Sequence, residues 1–410
     1  MSELMVRSTR PLEHDVIVVG AGAAGCSTAL RLARQGVGVL LLDRADFPRW
    51  KPCAGGLTLK ARPYLPNPLF DLVESEIHDT YLALGGEYVT HIHSKNPMGW
   101  LVHRETFDQV HLGLARTQPT IDVALGIIVR GIREDPTEVV VETNSGELRA
   151  RVVVGADGAK SMVSKALPGH DKRHMAFAYE GEARLAAPGK PDTTGVTYFE
   201  FRKFPGGYGW VFPKEDHLSV GGFIYEGKLP EVETVFHEFC AETEVVREAE
   251  IVRRRGHPVC LGGGARRLNS KRVVLVGEAG GLVDPLIGEG IYYALRSGHL
   301  AGEAIGRFLR DGTPLDAYGD EVRREIQDGF RSARTLADFL YRHPRLAFHL
   351  LLRNSMACRW FAEICAGQKT YERMLSRFFG NSLALPFHTG VRKRQEVEVE
   401  MPRETSLPTA

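Results

Sequence analysis

Near the N-terminus the apolar, β-branched run Asp15-Val16-Ile17-Val18-Val19 leads directly into Gly20-Ala21-Gly22-Ala23-Ala24-Gly25. No other feature restricts the fold as strongly. Glycine at these three places answers three needs: a tight turn at Gly20, a close backbone approach to a pyrophosphate at Gly22, and close helix-on-strand packing at Gly25. From Cys26 to Gln35 apolar residues recur at helical spacing until Gly36 ends them, and Val37 to Leu42 reads as a second strand ending at Asp43. Strand, loop, helix and strand in this order begin a doubly wound sheet. The helix N-terminus presents free N–H groups and partial positive charge to an anion, and Asp43 is placed to accept hydrogen bonds from a ribose. Gly20, Ala21, Gly22, Ala24, Gly25 and Asp43, with the adjacent Arg44, are therefore candidate dinucleotide contacts. The loop alone does not say which dinucleotide.

Further along, Arg104 to Ala115 reads as a helix, and Ile121–Val129, Glu138–Thr143 and Glu147–Val154 as strands, with a hairpin turn at Asn144-Ser145-Gly146. From about 175 to 260 the pattern is mainly alternating, as in an antiparallel sheet with one covered face. A buried strand returns at Arg272–Gly277, and a helix follows from about Gly290. The expected class is α/β: a Rossmann-like domain, an inserted antiparallel β-sheet domain and a C-terminal helical region. The expected boundaries are 14–70, 101–170 and 265–325 for the discontinuous dinucleotide domain and 71–100 with 171–264 for the β-rich one. Residues 326–388 read as helical, and 389–410, charged and Pro-containing, as a disordered tail.

Two later segments carry cofactor information. Val152-Val153-Val154-Gly155-Ala156-Asp157-Gly158 sets Asp-Gly after a strand, and Val276-Gly277-Glu278 ends a strand on an acid before Gly280-Gly281 and Asp284-Pro285-Leu286-Ile287-Gly288-Glu289-Gly290-Ile291. Following a Rossmann start, this series resembles the glutathione-reductase-type FAD proteins of the aromatic hydroxylase branch. The resemblance implies FAD, with Asp157, Gly158, Glu278 and Pro285 along the cofactor. It implies that Gly288-Glu289-Gly290-Ile291 opens a helix toward the flavin's pyrimidine edge, and that Arg104 contacts the flavin. The family usually has Asp where this chain has Glu278.

Two more segments narrow the branch. Phe47-Pro48-Arg49-Trp50-Lys51-Pro52-Cys53-Ala54-Gly55-Gly56 and Pro205-Gly206-Gly207-Tyr208-Gly209-Trp210-Val211-Phe212-Pro213 resemble the marks of the geranylgeranyl reductase family. That resemblance implies reduction of C=C bonds on a prenyl chain, with Cys53 near the flavin. Tyr208, Trp210 and Phe212 alternate, so on a strand they share a face. They would form a flat wall for a hydrocarbon or part of a sheet core, and the interleaved Gly206, Gly207 and Gly209 favour the wall, because glycine frees space beside a ligand. An isolated alkene is a poor hydride acceptor, so proton transfer must lead or accompany reduction. Cys53 or a water held by Tyr208 is the expected donor, and the Tyr208 and Trp210 faces would stabilise positive charge. Where the family places G-x-G, this chain has Gly221-Gly222-Phe223, and Phe223 is expected to narrow the pocket. The rival within the superfamily is a monooxygenase or halogenase, which would need a substrate-side lysine among Lys51, Lys60 and Lys95.

A formal net charge of +1 with no long single-sign block argues against a nucleic-acid groove. The six cysteines lie scattered without a CxxC pair, so neither a disulfide framework nor a zinc site is expected and a reducing cytoplasm fits. No secretory leader is visible in residues 1–14, and no run is long and apolar enough to span a bilayer. Leu346–Leu352 reads either as a buried helix or as a point of peripheral membrane contact. His91 and His93 form H-x-H without an evident third ligand, so no metal is expected. No second glycine fingerprint is present for the electron donor, which NADPH or reduced ferredoxin would each satisfy.

Overall fold

A computed structural model describes residues 14–169, 173–184, 194–225, 229–264, 266–379 and 394–403. Five parallel strands form one sheet in the order Val273–Leu275, Val152–Gly155, Val16–Val19, Val39–Leu42, Ile121–Ala124. Both faces of its centre are covered, which is why Val16 to Val18, Val152 to Val154 and Val273 to Leu275 are unbroken apolar runs with at most 1% exposure. The helix after the glycine loop spans Ala23–Ala33, starting inside the loop rather than after it. The stretch 147–154, expected as one strand, divides at Arg151. Gly146–Ala150 pairs antiparallel with Val139–Thr143, and Val152–Gly155 joins the parallel sheet.

The long helix Ile291–Asp311 lies across the first helix at very short range. Gly298, Gly302 and Gly306 recur every fourth residue along the line of contact. A Cβ on Gly298 would stand 2.5 Å from the Ala24 carbonyl oxygen, one on Gly302 2.6 Å from Arg31 Cβ, and one on Gly306 1.9 Å from Gln35 Oε1. Ser27 Oγ donates to the Leu295 carbonyl at 2.9 Å, and Gln35 Nε2 to that of Gly302 at 3.0 Å. Segments about 270 residues apart in sequence are thereby held edge to edge.

The second large sheet has eight strands in the order Glu250–Leu261, His174–Arg184, Leu218–Ile224, Gly207–Pro213, Val196–Glu200, Asp79–Leu84, Tyr88–His93, Arg394–Glu398. Its neighbours run antiparallel except at two places, where Val196–Glu200 meets Asp79–Leu84 and Tyr88–His93 meets Arg394–Glu398 in parallel. One face packs on the helix Leu229–Glu242, a helix inside the stretch expected to be mainly strand. Its Val232, Phe236, Phe239 and Cys240 repeat at helical spacing and cover Val211 and Val220. The other face carries Tyr208, Trp210, Phe212 and Phe223 against Leu336, Leu340 and Tyr341 of the helix Asp328–Arg342.

Glycines in the two central strands make room for rings rather than for a ligand. A Cβ on Gly221 would lie 2.1 Å from the Trp210 indole, and one on Gly222 1.7 Å from the Phe204 ring. On Gly209 it would be 2.6 Å from Phe204 and 3.0 Å from Phe239. The expectation that Gly209 frees space beside a ligand is therefore corrected: the rings of Phe204 and Phe239 occupy that space.

The expected disordered tail is also corrected. Arg394–Glu398 is the eighth strand, and Val397, Val399 and Met401 are buried in the core shared with the C-terminal helices. Alternating burial within Arg394–Glu398 gave too short a pattern to read among charged residues. Residues 389–393 and 404–410 of that expectation lie outside the described residues. Replacing Val397 by Asp puts a carboxylate at a 3% exposed site; we expect a loss of about 2–4 kcal/mol in urea unfolding, against a change near zero if the strand is dispensable.

Candidate active site

The glycine loop has the geometry of an anion cradle. Gly20 has φ +106°, and a Cβ there would lie 2.4 Å from the Ala156 carbonyl oxygen. On Gly25 it would be 1.8 Å from the Gly20 carbonyl oxygen. Gly22 differs: among the described residues only the Arg49 guanidinium lies within 4 Å of a Cβ there, at 3.4 Å, so the loop faces open space with a cation across it. The following helix starts with no side-chain cap, which leaves its first N–H groups for an anion. Asp43 accepts from Ala21 N at 2.8 Å and Ala45 N at 2.9 Å, which fixes its carboxylate at the end of the second strand. Ala24 is buried at the helix start, and Arg44 is exposed beside Asp43. These residues fit the pyrophosphate and ribose of a dinucleotide. Arg49 was missed as a contact although it lies within the quoted Phe47–Gly56 segment.

Asp157 lies at the end of a central strand, where its oxygens accept from Ser161 Oγ and Met162 N, both at 2.6 Å. Gly158 stands near Glu278, whose Oε2 would lie 3.7 Å from a Cβ there. Burial opposes the charge on Glu278, yet Lys51 at 3.5 Å and His257 at 3.6 Å hold its carboxyl down at about 2. The longer glutamate is thus a fixed anion beside the cradle, with Lys51 and His257 as partners that sequence reasoning did not single out. Pro285 and Ile291 are buried, and Gly288 and Gly290 flank the entry to the long helix. Glu289 turns instead toward Lys60 at 3.0 Å and Thr58, so its side chain is committed to an internal ion pair.

Arg104 opens the helix Arg104–Arg116 and is 7% exposed. It is no solvated helix-start charge. Its Nη2 donates to both Asp108 oxygens at 2.9 Å, and Arg49 reaches the same carboxylate at 3.2 Å. Burial weakens Arg104 as a cation, but Asp108 and its neighbour Cys53 keep it protonated.

The Cys53 loop is tied down from the large sheet. Its backbone N–H donates to Glu180 Oε2, and Ser219 Oγ donates to Glu180 Oε1 at 2.8 Å. Trp210 Nε1 donates to Ser219 Oγ at 3.2 Å, completing a path from the indole to the Cys53 backbone. Burial drives the Glu180 carboxyl up to about 7, with Ser219, Cys53 N–H and Lys214 acting in the other direction. Lys214 is itself pulled down to about 8 by burial and donates to the Val102 carbonyl at 2.9 Å. Neither Glu180 nor Lys214 was singled out from sequence, because an isolated charge on a strand reads as solvated.

Tyr208, Trp210 and Phe212 share one sheet face as expected, each no more than 8% exposed. Tyr208 Oη donates to the Ile287 carbonyl at 2.7 Å, which pins the aromatic wall to the Gly288 turn. Phe223 pairs with Tyr208 in register, ring centroids 5.3 Å apart. Among the lysines of the rival reading, Lys51 and Lys60 are held by Glu278 and Glu289. The H-x-H pair does gain a third group: Asp79 Oδ1 lies 2.6 Å from His91 Nε2 and 2.9 Å from His93 Nδ1. Those are direct hydrogen-bond distances between the side chains.

Fold and cradle together define a flavin-binding oxidoreductase. Residues 15–126 match the family described as FAD dependent oxidoreductase. A geranylgeranyl diphosphate reductase of Rhodobacter capsulatus is 33% identical over 314 residues, covering 74% of this chain and 78% of that protein. A digeranylgeranylglycerophospholipid reductase of Methanopyrus kandleri is 30% identical, over 80% and 91% of the two chains. The chain belongs to the geranylgeranyl reductase family of FAD-dependent oxidoreductases. Among solved structures, a geranylgeranyl bacteriochlorophyll reductase-like protein of Thermoplasma acidophilum superposes with a TM-score of 0.73 at 18% identity, over 90% of this chain and 97% of that one. A flavin-dependent brominase reaches 0.70 at 18% identity, over 86% and 93%, so the fold alone does not separate the two chemistries.

Two outcomes test the site. Gly25→Ala pushes a methyl into the Gly20 carbonyl, and the purified variant should lose flavin absorbance at least tenfold relative to protein. For Glu180, a folded pKa raised to about 7 from an ordinary 4.5 means that the folded state holds the extra proton between those values. The stability it contributes is present below pH 4.5 and is lost as pH rises through 7. The stability of the wild type relative to Glu180→Gln should therefore fall across that window in denaturant titrations; a pH-independent difference contradicts the assignment.

Proposed function

We propose that this chain reduces carbon–carbon double bonds of a geranylgeranyl-type chain carried on a lipid or isoprenoid substrate. The observation that carries the reading is the meeting of three parts at one place. The Tyr208–Trp210–Phe223 wall is fastened to the Gly288 turn through Tyr208, and the Cys53 loop is fastened to the same sheet through Glu180. Such a wall excludes water and favours a long hydrocarbon chain without offering it a polar partner. FAD, when bound and reduced, supplies the hydride. The chain's own residues supply the rest.

The proton goes to the less substituted alkene carbon, and positive charge develops on the other. The faces of Trp210 and Tyr208 stabilise that charge by cation–π attraction. Proton and hydride together add two hydrogens across one double bond. Tyr208 has already given its hydroxyl hydrogen to the Ile287 carbonyl, which favours Cys53 Sγ over Tyr208 as the proton source. Gly55 N–H donates to that sulfur at 3.4 Å and orients it. Arg104, Arg49 and Lys51 set three cations around the Cys53 loop and the cradle, and the first two share Asp108. The electron donor is NADPH or reduced ferredoxin.

A lipid substrate implies delivery from a membrane surface. No helix of the described residues is long and apolar enough to cross a membrane. In the Leu346–Leu352 segment Ala347, Phe348 and Leu351 are buried and Leu346 is 52% exposed, so contact with lipid would be confined to its edge.

The deciding experiment is anaerobic incubation of the flavin-loaded protein with NADPH or reduced ferredoxin and geranylgeranyl diphosphate or a geranylgeranyl lipid. The expected result is a product heavier by two hydrogens per reduced bond, with Cys53→Ala slowing turnover at least tenfold while keeping FAD. Product formed only with oxygen or halide would assign the chain to the rival class, and full turnover by Cys53→Ala would remove the thiol from the mechanism.

A further inference from the structure

A cleft lined by three arginines includes Gly280 and Gly281, just after Glu278. Its walls come from three elements: Arg173 just before the strand His174–Arg184, the Gly262 to Arg266 loop after the strand Glu250–Leu261, and Arg334 on the helix Asp328–Arg342. It shares no residue with the candidate FAD contacts. The cleft is open to solvent on one side.

Three guanidinium groups line this cleft, and no carboxylate among the described residues forms an ion pair with any of them. Among the described residues Arg173 donates only to the Ala159 carbonyl, at 2.9 Å. Arg266 reaches Cys260 Sγ at 3.6 Å, and its buried Nη2 has no hydrogen-bond partner among the described residues. Glu278, the acid nearest to Arg266 in sequence, accepts from the Cys260 backbone N–H and is already engaged by Lys51 and His257. Burial lowers the basicity of Arg266, and the like charge of Arg173 lowers it further. Two other buried cations have a carboxylate partner, Arg104 with Asp108 and Lys60 with Glu289. Leaving a half-buried guanidinium uncompensated beside a second cation costs stability unless an anion arrives. Glycine lines the floor: a Cβ on Gly281 would lie 3.2 Å from Arg266 Nη1.

We propose that this cleft is a second anion subsite, which takes the phosphate or diphosphate group of a ligand. From it, ring contacts continue toward the aromatic wall. His174 meets Tyr225 at 4.7 Å between centroids, Tyr225 meets Tyr341 at 5.3 Å, and Tyr341 meets Tyr208 at 6.4 Å. Two sources carry such a phosphate group: the head group of a prenyl substrate and the phosphates of a nicotinamide donor. The substrate source rests on the function proposed above; the anion subsite itself does not.

The test begins without turnover. Flavin-loaded protein is titrated with inorganic pyrophosphate by calorimetry, and the wild type should show saturable binding. Arg266→Gln/Arg334→Gln should weaken it at least tenfold with flavin absorbance unchanged. If the double variant fails to retain flavin, Arg334→Gln alone is compared with Arg334→Lys, and the lysine variant should bind more tightly. Absence of saturable binding in the wild type, or equal affinity in wild type and variants, overturns the proposal. Kinetics then separate the sources. A rise of KM for geranylgeranyl diphosphate, with none for geranylgeraniol, assigns the cleft to the substrate, whereas a rise confined to NADPH assigns it to the donor. If neither KM moves, the cleft is not a ligand subsite and the proposal falls. Loss of reductase activity in the wild type would count against the function alone, since pyrophosphate binding is read independently.

Discussion

The contact between the helices Ala23–Ala33 and Ile291–Asp311 is the constraint on which the site depends. The glycine loop sits at the start of one helix, and the Gly288 turn sits at the start of the other. A bound FAD would have to touch both. Without a side chain at Gly298, Gly302 and Gly306 the two backbones approach closely enough for Ser27 and Gln35 to reach carbonyls across the interface. The spacing of two half-sites is thus set by missing methyl groups. A larger residue at any of the three positions would widen the distance over which a single cofactor must reach.

The second organising device is the two-sided aromatic packing of the central strands of the large sheet. Phe204 and Phe239 fill the face toward the helix Leu229–Glu242, while Trp210 and Tyr208 fill the face toward the cofactor side. Gly209, Gly221 and Gly222 admit rings that would otherwise collide with the strands. Because the rings interlock, the wall is rigid, and the chain Trp210–Ser219–Glu180–Cys53 transmits that rigidity to the thiol loop. A buried carboxyl serves here as a fastener for a backbone N–H, a role that needs no net charge change during reaction.

Much of the fold was legible because its signals are local. The Val16–Asp43 unit announces itself through periodicity and glycine spacing, and the Tyr208–Phe212 alternation correctly placed three rings on one face. What stayed hidden depends on partners distant in sequence. Glu180 and Lys214 look like ordinary strand charges until the Cys53 loop folds over them. Asp79 is the neighbour of His91 and His93 only because two strands pair in register. The Gly298-Gly302-Gly306 stripe reads as a weak helix, since its value lies in what the other helix brings. The helix Leu229–Glu242 was submerged in a stretch dominated by alternation, and the Arg394–Glu398 strand was masked by its charged, solvent-facing residues.

That last strand also bears on synthesis. It pairs in parallel with Tyr88–His93, whose other edge is already occupied by Asp79–Leu84. Until residue 398 has left the ribosome, the outer edge of Tyr88–His93 exposes unpaired N–H and carbonyl groups to any other nascent chain. That margin therefore stays open between the synthesis of residue 93 and that of residue 398. His91 and His93, hydrogen-bonded to Asp79 on that strand, place polar side chains along the margin and discourage intermolecular pairing in the interval.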